Sequence, residues 1–320
     1  LKALITGISG FVGSHLAEYL LENRSWTVAG TVYGPVNNIG HIQDRLELFP
    51  LELSELDTVV QLLEDSRPDF IFHLAAQPVV SLSRIDPWNT LANNIRMQLN
   101  FLEAMHRIGL KGRILVVGSS EEYGLVYPDE LPVGEGNAFR PVNPYAVSKI
   151  AQDMLGLQYH LNHGLDVVRV RPFNHIGPRQ SPGFVTPDFA KQIAEAEHGL
   201  RPPVMKVGNL KAMRDFSDAR DVVRAYTLLM ERGISGEVYN VGSGKAWAIQ
   251  EVLDTLLGFA RVEIAVEHDP ARMRPSDMPI VVADITRLRQ CTGWEPQISF
   301  EQSLRDVLAY WRQRVQPKNT

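Results

Sequence analysis

Lys2-Ala3-Leu4-Ile5-Thr6-Gly7-Ile8-Ser9-Gly10-Phe11-Val12-Gly13-Ser14-His15-Leu16 decides the fold. A short run of strand character enters three glycines spaced GxxGxxG, and His15, Leu16, Tyr19 and Leu20 then recur at helical spacing. Glycine permits the tight turn and lets the backbone approach a pyrophosphate, which the N-terminus of the next helix stabilises. A glycine triplet alone also fits a plain turn. With a strand before it and a helix after it, the triplet reads as a dinucleotide-binding fingerprint. Gly7, Gly10, Phe11, Val12 and Gly13 are therefore candidate cofactor-binding residues.

The same alternation continues outward. Stretches 26–33, 46–53, 70–75, 113–117 and 167–171 read as strands, and 57–64, 86–108 and 145–161 as helices. Asp86 can cap the long helix and Pro87 suits its first position. Strands alternating with helices imply βαβ units and a parallel sheet. Their nearly continuous apolar character fits burial on both faces. The expectation is an α/β, Rossmann-type doubly wound parallel sheet with a smaller C-terminal α/β region.

After Arg171 the pattern breaks: Pro172, Pro178, Pro182 and Pro187 fall close together with Gly177 and Gly183. This predicts a loop-rich crossing. Beyond it, 190–198 reads as a helix, 238–241 as a strand before a turn at 242–244, 249–259 as a helix, 261–267 as a strand and 300–315 as a helix. The expected division is 1–171 with about 210–244 for the dinucleotide, and 172–209 with 245–320 for the substrate.

At 320 residues the chain suits about two domains, and 44% apolar with 22% charged residues is ordinary for a soluble globular protein. The formal net charge of −5 argues against a generally basic nucleic-acid binder. The single cysteine, Cys291, forms no internal disulfide, and no Cys/His cluster reads as a zinc site. Neither a signal-peptide pattern nor an apolar run of about 18 residues is seen. The expectation is a cytoplasmic protein with no membrane or nucleic-acid partner and no metal.

Tyr145 and Lys149 stand one helical turn apart on one face. Alone, such a pair fits a packed surface contact equally well. After a nucleotide-binding βαβ region it reads as a proton-exchanging tyrosine whose pKa a neighbouring ammonium lowers. Cofactor choice is read at the end of the second strand. Thr31-Val32-Tyr33-Gly34 carries no acid there, and no arginine is adjacent. This leans toward NADP(H), with NAD(H) left open.

The glycine motif with YxxxK resembles the extended short-chain dehydrogenase/reductase superfamily. Gly118-Ser119-Ser120-Glu121-Glu122-Tyr123-Gly124 is similar to the segment after that family's fifth strand, which places its catalytic Ser/Thr on Ser119. Leu74-Ala75-Ala76 resembles its nicotinamide-side loop, and Asn94 its supporting asparagine. Glu52-Leu53 occupies the place of an adenine-contacting Asp-Leu, with Glu as a departure. Arg171-Pro172-Phe173-Asn174-His175-Ile176-Gly177-Pro178, Gly208-Asn209-Leu210, Arg214-Asp215-Phe216 and Arg274-Pro275-Ser276-Asp277 are similar to the nucleotide-sugar branch. The resemblance is to enzymes of GDP-linked 6-deoxy-4-keto-hexoses, and the reductases among them come before the 4,6-dehydratases.

This resemblance implies a GDP-linked keto-sugar substrate, a homodimer joined through the helices at 86–108 and 145–161, and Ser119, Tyr145 and Lys149 as catalytic residues. Glu121 falls where the dehydratases carry a catalytic glutamate, which leaves dehydration open. Arg214 and Arg274 suit bidentate contacts to a diphosphate. Asn174, Lys191, Ser120, Val185 and Asp277 complete the substrate-binding set. A lone arginine is more often solvated or salt-bridged, with Asp215 and Asp277 as the available partners. His73, His175 and Cys291 read as packing residues, and Arg312, Arg314 and Lys318 as a solvated face. A non-catalytic NAD(P)-binding regulator on the same fold is the reading from another class; it would not need Ser119, Tyr145 and Lys149 together.

Overall fold

The computed structural model describes residues 1–272 and 278–315. The chain opens with β1 (Lys2–Thr6), α1 (Phe11–Asn23), β2 (Thr27–Val32), β3 (Glu47–Pro50), α2 (Leu56–Ser66) and β4 (Phe70–His73). It continues through α3 (Val80–Ile85), α4 (Pro87–Arg107), β5 (Arg113–Val117), α5 (Pro144–His163) and β6 (Val167–Pro172). Then come β7 (Asn174–Ile176), α6 (Val185–Glu197), β8 (Val204–Val207), β9 (Met213–Asp218), α7 (Ala219–Arg232) and β10 (Val238–Val241). The C-terminal part holds β11 (Ala246–Ala248), α8 (Ile249–Gly258), β12 (Ala265–His268), β13 (Ile280–Val281), α9 (Thr286–Thr292) and α10 (Phe300–Arg314).

Among the described residues, seven strands form one parallel sheet in the order β10-β6-β5-β4-β1-β2-β3. The alternation of side chains along β1 explains its two cores. Ala3 and Ile5 pack on one face with Leu16 and Leu20 of α1 and Val222 and Tyr226 of α7. Leu4 packs on the other with Leu62 of α2 and Phe101, Leu102 and Met105 of α4. Strand order reverses between β1 and β4, so the loops leaving these neighbours diverge and open a crevice at the carboxyl edge.

Helix starts follow the capping chemistry in the sequence. Asp86 accepts the Asn89 N–H at 3.0 Å, with Pro87 opening α4. Asn143 accepts the Ala146 N–H at 2.8 Å, with Pro144 opening α5. These caps fix the depth at which Asn94 and Tyr145 enter the crevice.

From β6 the chain passes straight into β7, which pairs with β9 in a second sheet ordered β11-β9-β13. Phe189 and Ile193 of α6, Val252 and Leu253 of α8, and Leu304 and Leu308 of α10 form a separate core beside it. The helix expected at 190–198 begins earlier, at Val185, and the strand expected at 261–267 is the shorter β12, paired with β8. The sequence reading passed over α3, α7, α9 and the strands β7, β8, β9, β11 and β13. Among the described residues no helix is long and apolar enough to cross a membrane, and no group of His, Cys, Asp and Glu is placed to hold a metal.

Candidate active site

The glycine loop is built for close approach. Gly7 sits at φ 65°, in the left-handed region, and Gly10 donates its N–H to the Gly7 carbonyl at 2.9 Å. A β-carbon on Gly13 would lie 2.4 Å from that same carbonyl oxygen, so only glycine lets α1 begin so near the turn. No side chain caps α1 and no acid stands in its first turn. Its leading N–H groups are therefore left for an anion. Thr31 in β2 anchors the loop by accepting the Gly7 N–H at 3.2 Å. The residues present fit a dinucleotide pyrophosphate.

Across the crevice, the loop after β4 is pinned from two sides. Thr6 Oγ1 accepts the Ala75 N–H at 2.9 Å and pairs with His73 Nδ1 at 3.1 Å. Asn94 Oδ1 accepts the Gln77 N–H at 2.8 Å, while its Nδ2 reaches Ser148 Oγ at 3.0 Å. Leu74, Ala75 and Ala76 are thus held between β1, α4 and α5. His73 is buried, and burial with the Lys149 charge beside it pushes its pKa down to about 3. It is a neutral structural histidine, as its sequence context suggested. His175 is also half-buried, stacked on Phe11 with ring centroids 5.8 Å apart.

Ser119, Tyr145 and Lys149 come together at the carboxyl end of β5. The Ser119 hydroxyl stands near the Tyr145 phenol and acts on it to lower its pKa. Lys149 Nζ donates to the Val117 carbonyl at 3.0 Å and lies 5.9 Å from the Tyr145 ring centroid. The expected lowering of the phenol's pKa is not what the site produces. Burial pushes Tyr145 upward, with Glu121 and Glu122 adding to the rise, and the nearby Ser119 hydroxyl opposes it. Burial meanwhile pushes Lys149 down to about 8, against the pull of Glu122. The tyrosine therefore stays protonated near neutral pH, in the form that donates.

Glu121 borders the same group: its Oε2 accepts from Asn143 Nδ2 at 2.9 Å, and Arg214 of β9 feels its charge. Arg214 Nη1 also donates to the carbonyls of Met213 and Met278, at 2.8 and 3.0 Å. Asp215 is not its partner. Strand alternation turns it the other way, where it accepts the Ser243 and Gly244 N–H groups at 2.7 and 2.9 Å. Asn174 is exposed at the start of β7, Ser120 follows Ser119 in a short helical turn, and Val185 opens α6. Lys191 lies 3.6 Å from Glu195 and 5.9 Å from the Trp311 ring, contacts within the second core region. Glu52 is exposed and Leu53 buried. Arg274 and Asp277 lie outside the described residues. The sequence reading missed Asn143, whose place three residues before Ala146 marks it as a helix cap, and Glu122, whose burial depends on distant residues.

This fold, with a glycine loop at β1 and Ser119, Tyr145 and Lys149 converging at β5, defines the extended short-chain dehydrogenase/reductase class. Within it the chain belongs to the GDP-mannose 4,6 dehydratase family, whose model matches residues 4–307. It is 39% identical over 315 residues to the GDP-6-deoxy-D-mannose reductase of Pseudomonas aeruginosa, covering 98% of each chain. It is 30% identical to the GDP-mannose 4,6-dehydratase of Yersinia enterocolitica, covering 96% of this chain and 93% of that one. The solved structure of RMD from Pseudomonas aeruginosa complexed with NADPH superposes with a TM-score of 0.87 at 37% identity, covering 98% of this chain and 99% of that one.

Proposed function

We propose that the chain reduces the 4-keto group of GDP-4-keto-6-deoxy-D-mannose to a GDP-6-deoxyhexose of the GDP-D-rhamnose type. The carrying observation is the 39% identity to a GDP-6-deoxy-D-mannose reductase across 98% of both chains. NADPH or NADH, when bound, supplies the hydride that reaches C4. Tyr145 gives its proton to the oxygen on which charge builds, and Ser119 hydrogen-bonds that oxygen. Lys149 binds the cofactor ribose and keeps a positive charge beside the phenol. Gly7, Gly10, Phe11, Val12 and Gly13 take the pyrophosphate, Glu52 and Leu53 the adenine side, and Leu74, Ala75, Ala76 and Asn94 the nicotinamide side. Ser120, Asn174, Val185, Lys191 and Arg214, with Arg274 and Asp277, take the nucleotide sugar. The dinucleotide part is 1–171 with about 210–244, supported by β10 joining the seven-stranded sheet, although β9 within that stretch pairs in the second sheet. Residues 172–209 and 245–320 close over the sugar nucleotide. One cysteine and the sugar-nucleotide chemistry suit the cytoplasm.

The test is two reactions with purified protein. GDP-mannose without added cofactor is expected to stay unchanged. GDP-4-keto-6-deoxy-D-mannose with NADPH or NADH is expected to oxidise the cofactor stoichiometrically. A second reading, the 4,6-dehydratase, rests on Glu121, held by Asn143 beside Tyr145 and Ser119. Formation of the 4-keto sugar in the first reaction, abolished by Glu121→Gln, would establish that reading instead.

The exposed apolar side chains of α3, α4 and α5 support the homodimer. Ile85 and Trp88 are 79% and 76% exposed, and Leu99 and Val147 also face outward. Apolar groups gathered on one face mark an association surface. Trp88→Glu is expected to turn the dimer into a monomer at micromolar concentration in sedimentation velocity. A parent that sediments as a monomer would remove the dimer.

A further inference from the structure

Glu122 lies fully buried beneath Ser119, where an apolar side chain would pack without the cost of desolvating a charge. Its Oε1 accepts the Ser119 N–H at 2.7 Å. The Ser119 carbonyl accepts the Glu122 N–H at 3.1 Å, and Ser119 Oγ accepts the Glu121 N–H, also at 3.1 Å. Both backbone polar groups of Ser119 are therefore held, and one lone pair of its hydroxyl oxygen is taken. The hydroxyl hydrogen is left to donate. A β-carbon on Gly118 would lie 2.1 Å from Glu122 Oε1, so this glycine makes room for the carboxyl group. Gly118 is itself fixed by donating its N–H to the Val170 carbonyl at 2.8 Å.

Pairing with the arginines of β6 does not by itself explain a carboxyl group here. Asp153 already bonds both: Arg169 Nη1 reaches its Oδ1 at 2.8 Å, and Arg171 Nη2 its Oδ2 at 2.7 Å. Arg171 also donates from Nη1 to the Glu135 carbonyl at 3.0 Å and lies over the Phe139 ring, 4.6 Å from its centroid. So held, Arg171 is a fixed post for Glu122 Oε2, 3.2 Å from its Nε. Apolar residues of similar volume often replace buried ion pairs without loss of stability. What an apolar residue at 122 could not do is accept the Ser119 N–H.

We propose that Glu122 is a positioning residue: by holding the Ser119 N–H it aims the Ser119 hydroxyl at the substrate oxygen on which charge builds. The proposal rests on the reductase reading above. A donor stabilises a developing oxyanion only when it is preorganised at hydrogen-bond distance, and a displacement of about 1 Å can cost about 10²-fold in rate. Lys149 is anchored separately, on the Val117 carbonyl at 3.0 Å, so cofactor binding does not depend on this bond. The Glu122 charge also raises the pKa of Tyr145 and of Lys149, an influence that does not pass through Ser119. The two routes separate when the Ser119 hydroxyl is removed.

The experiment is a double-mutant cycle on the full chain, read as kcat, KM and NADPH affinity. Glu122→Leu removes the acceptor and is expected to lower kcat about 10–10²-fold, with KM and NADPH affinity within about threefold of the parent. Glu122→Gln keeps an oxygen for the Ser119 N–H and should hold kcat within about threefold. Ser119→Ala should lose about 10²–10³-fold, and Ser119→Ala/Glu122→Leu no more than Ser119→Ala alone. Gly118→Ala pushes the carboxyl group off the Ser119 N–H with Glu122 still present, and should reproduce the Glu122→Leu loss. It carries the same cycle where Glu122→Leu fails to fold. A Glu122→Leu or Gly118→Ala loss that adds in full to that of Ser119→Ala would overturn the assignment. So would Glu122→Gln as impaired as Glu122→Leu, or Glu122→Leu with kcat within about twofold of the parent. Failure of both Glu122→Leu and Gly118→Ala to fold would make Glu122 a residue of the fold alone and overturn it too. Turnover of GDP-mannose in place of the keto sugar would overturn the reductase reading instead, and the cycle is then read on that turnover. A parent active on neither sugar would overturn the catalytic reading, and this assignment with it.

Discussion

Tyr145→Phe lowers turnover of the keto sugar by about 10²–10⁴-fold, the usual contribution of a positioned proton donor. The substitution removes one oxygen and leaves the ring, so α5 and its packing persist. The missing oxygen is the one the Ser119 hydroxyl acts on. Without it, charge building on the substrate oxygen meets Ser119 alone, and protonation must come from water. The effect should fall on kcat with little change in cofactor affinity, because Lys149 and the glycine loop are untouched. The parent's pH profile carries a second signature. Burial pushes the phenol upward, so it keeps its proton through neutral pH, whereas Lys149 is pushed down to about 8. Cofactor affinity and kcat/KM should therefore hold below that pH and decline above it as the ammonium is lost, since kcat/KM reports groups of the free enzyme. Turnover of Tyr145→Phe within a factor of about two of the parent would remove Tyr145 as the donor.

How much of this was legible in the sequence depended on whether the physics was local. Strands buried on both faces must be apolar throughout, so KALIT, FIFH and RILVV announce β1, β4 and β5. Asp86-Pro87 announces α4 because a cap and a fixed φ need no distant partner. β9 was illegible for the opposite reason. MRDFSD is mostly polar, yet Asp215 and Asp218 are buried because Ser243, Ala283 and Ser303 bond them from far along the chain. α7 did carry a helical signal in Val222, Val223, Tyr226, Leu229 and Met230, but charged residues around its start obscured it. Tyr145 and Lys149 were legible as a pair because one turn of helix fixes their relation. The direction of the tyrosine's shift was not, because it depends on burial beneath the crevice and on Glu121 and Glu122 arriving from another segment.

Asp153→Ala destabilises the fold by about 3–5 kcal/mol, the cost of leaving buried charges without their partner. The alternation in Val167-Val168-Arg169-Val170-Arg171 puts two arginines on one face of β6, beneath α5. Asp153 answers both: Oδ1 lies 2.8 Å from Arg169 Nη1, and Oδ2 lies 2.7 Å from Arg171 Nη2. All three side chains are almost wholly buried, so water cannot replace the carboxylate. Glu122 is the fourth member, fully buried, with Oε2 3.2 Å from Arg171 Nε and Oε1 accepting the Ser119 N–H at 2.7 Å. Burial first, and then the Asp153 charge, push Glu122 up to about 8 despite the pull of Arg171. A carboxyl group held above its unfolded value stabilises the fold at low pH, and that contribution is lost as pH rises through the folded value. The parent should therefore lose part of its stability between about pH 5 and 8 through Glu122. In Asp153→Ala the neighbouring acid is gone and Arg171 draws Glu122 back toward the ionised form, so this part of the pH dependence should shrink even as total stability falls. Chemical denaturation of both proteins at pH 5.5 and 8.5 reads both effects at once. A loss below about 1 kcal/mol would mean that the two arginines find solvent or another acceptor, and that the polar layer under Ser119 is not held by Asp153.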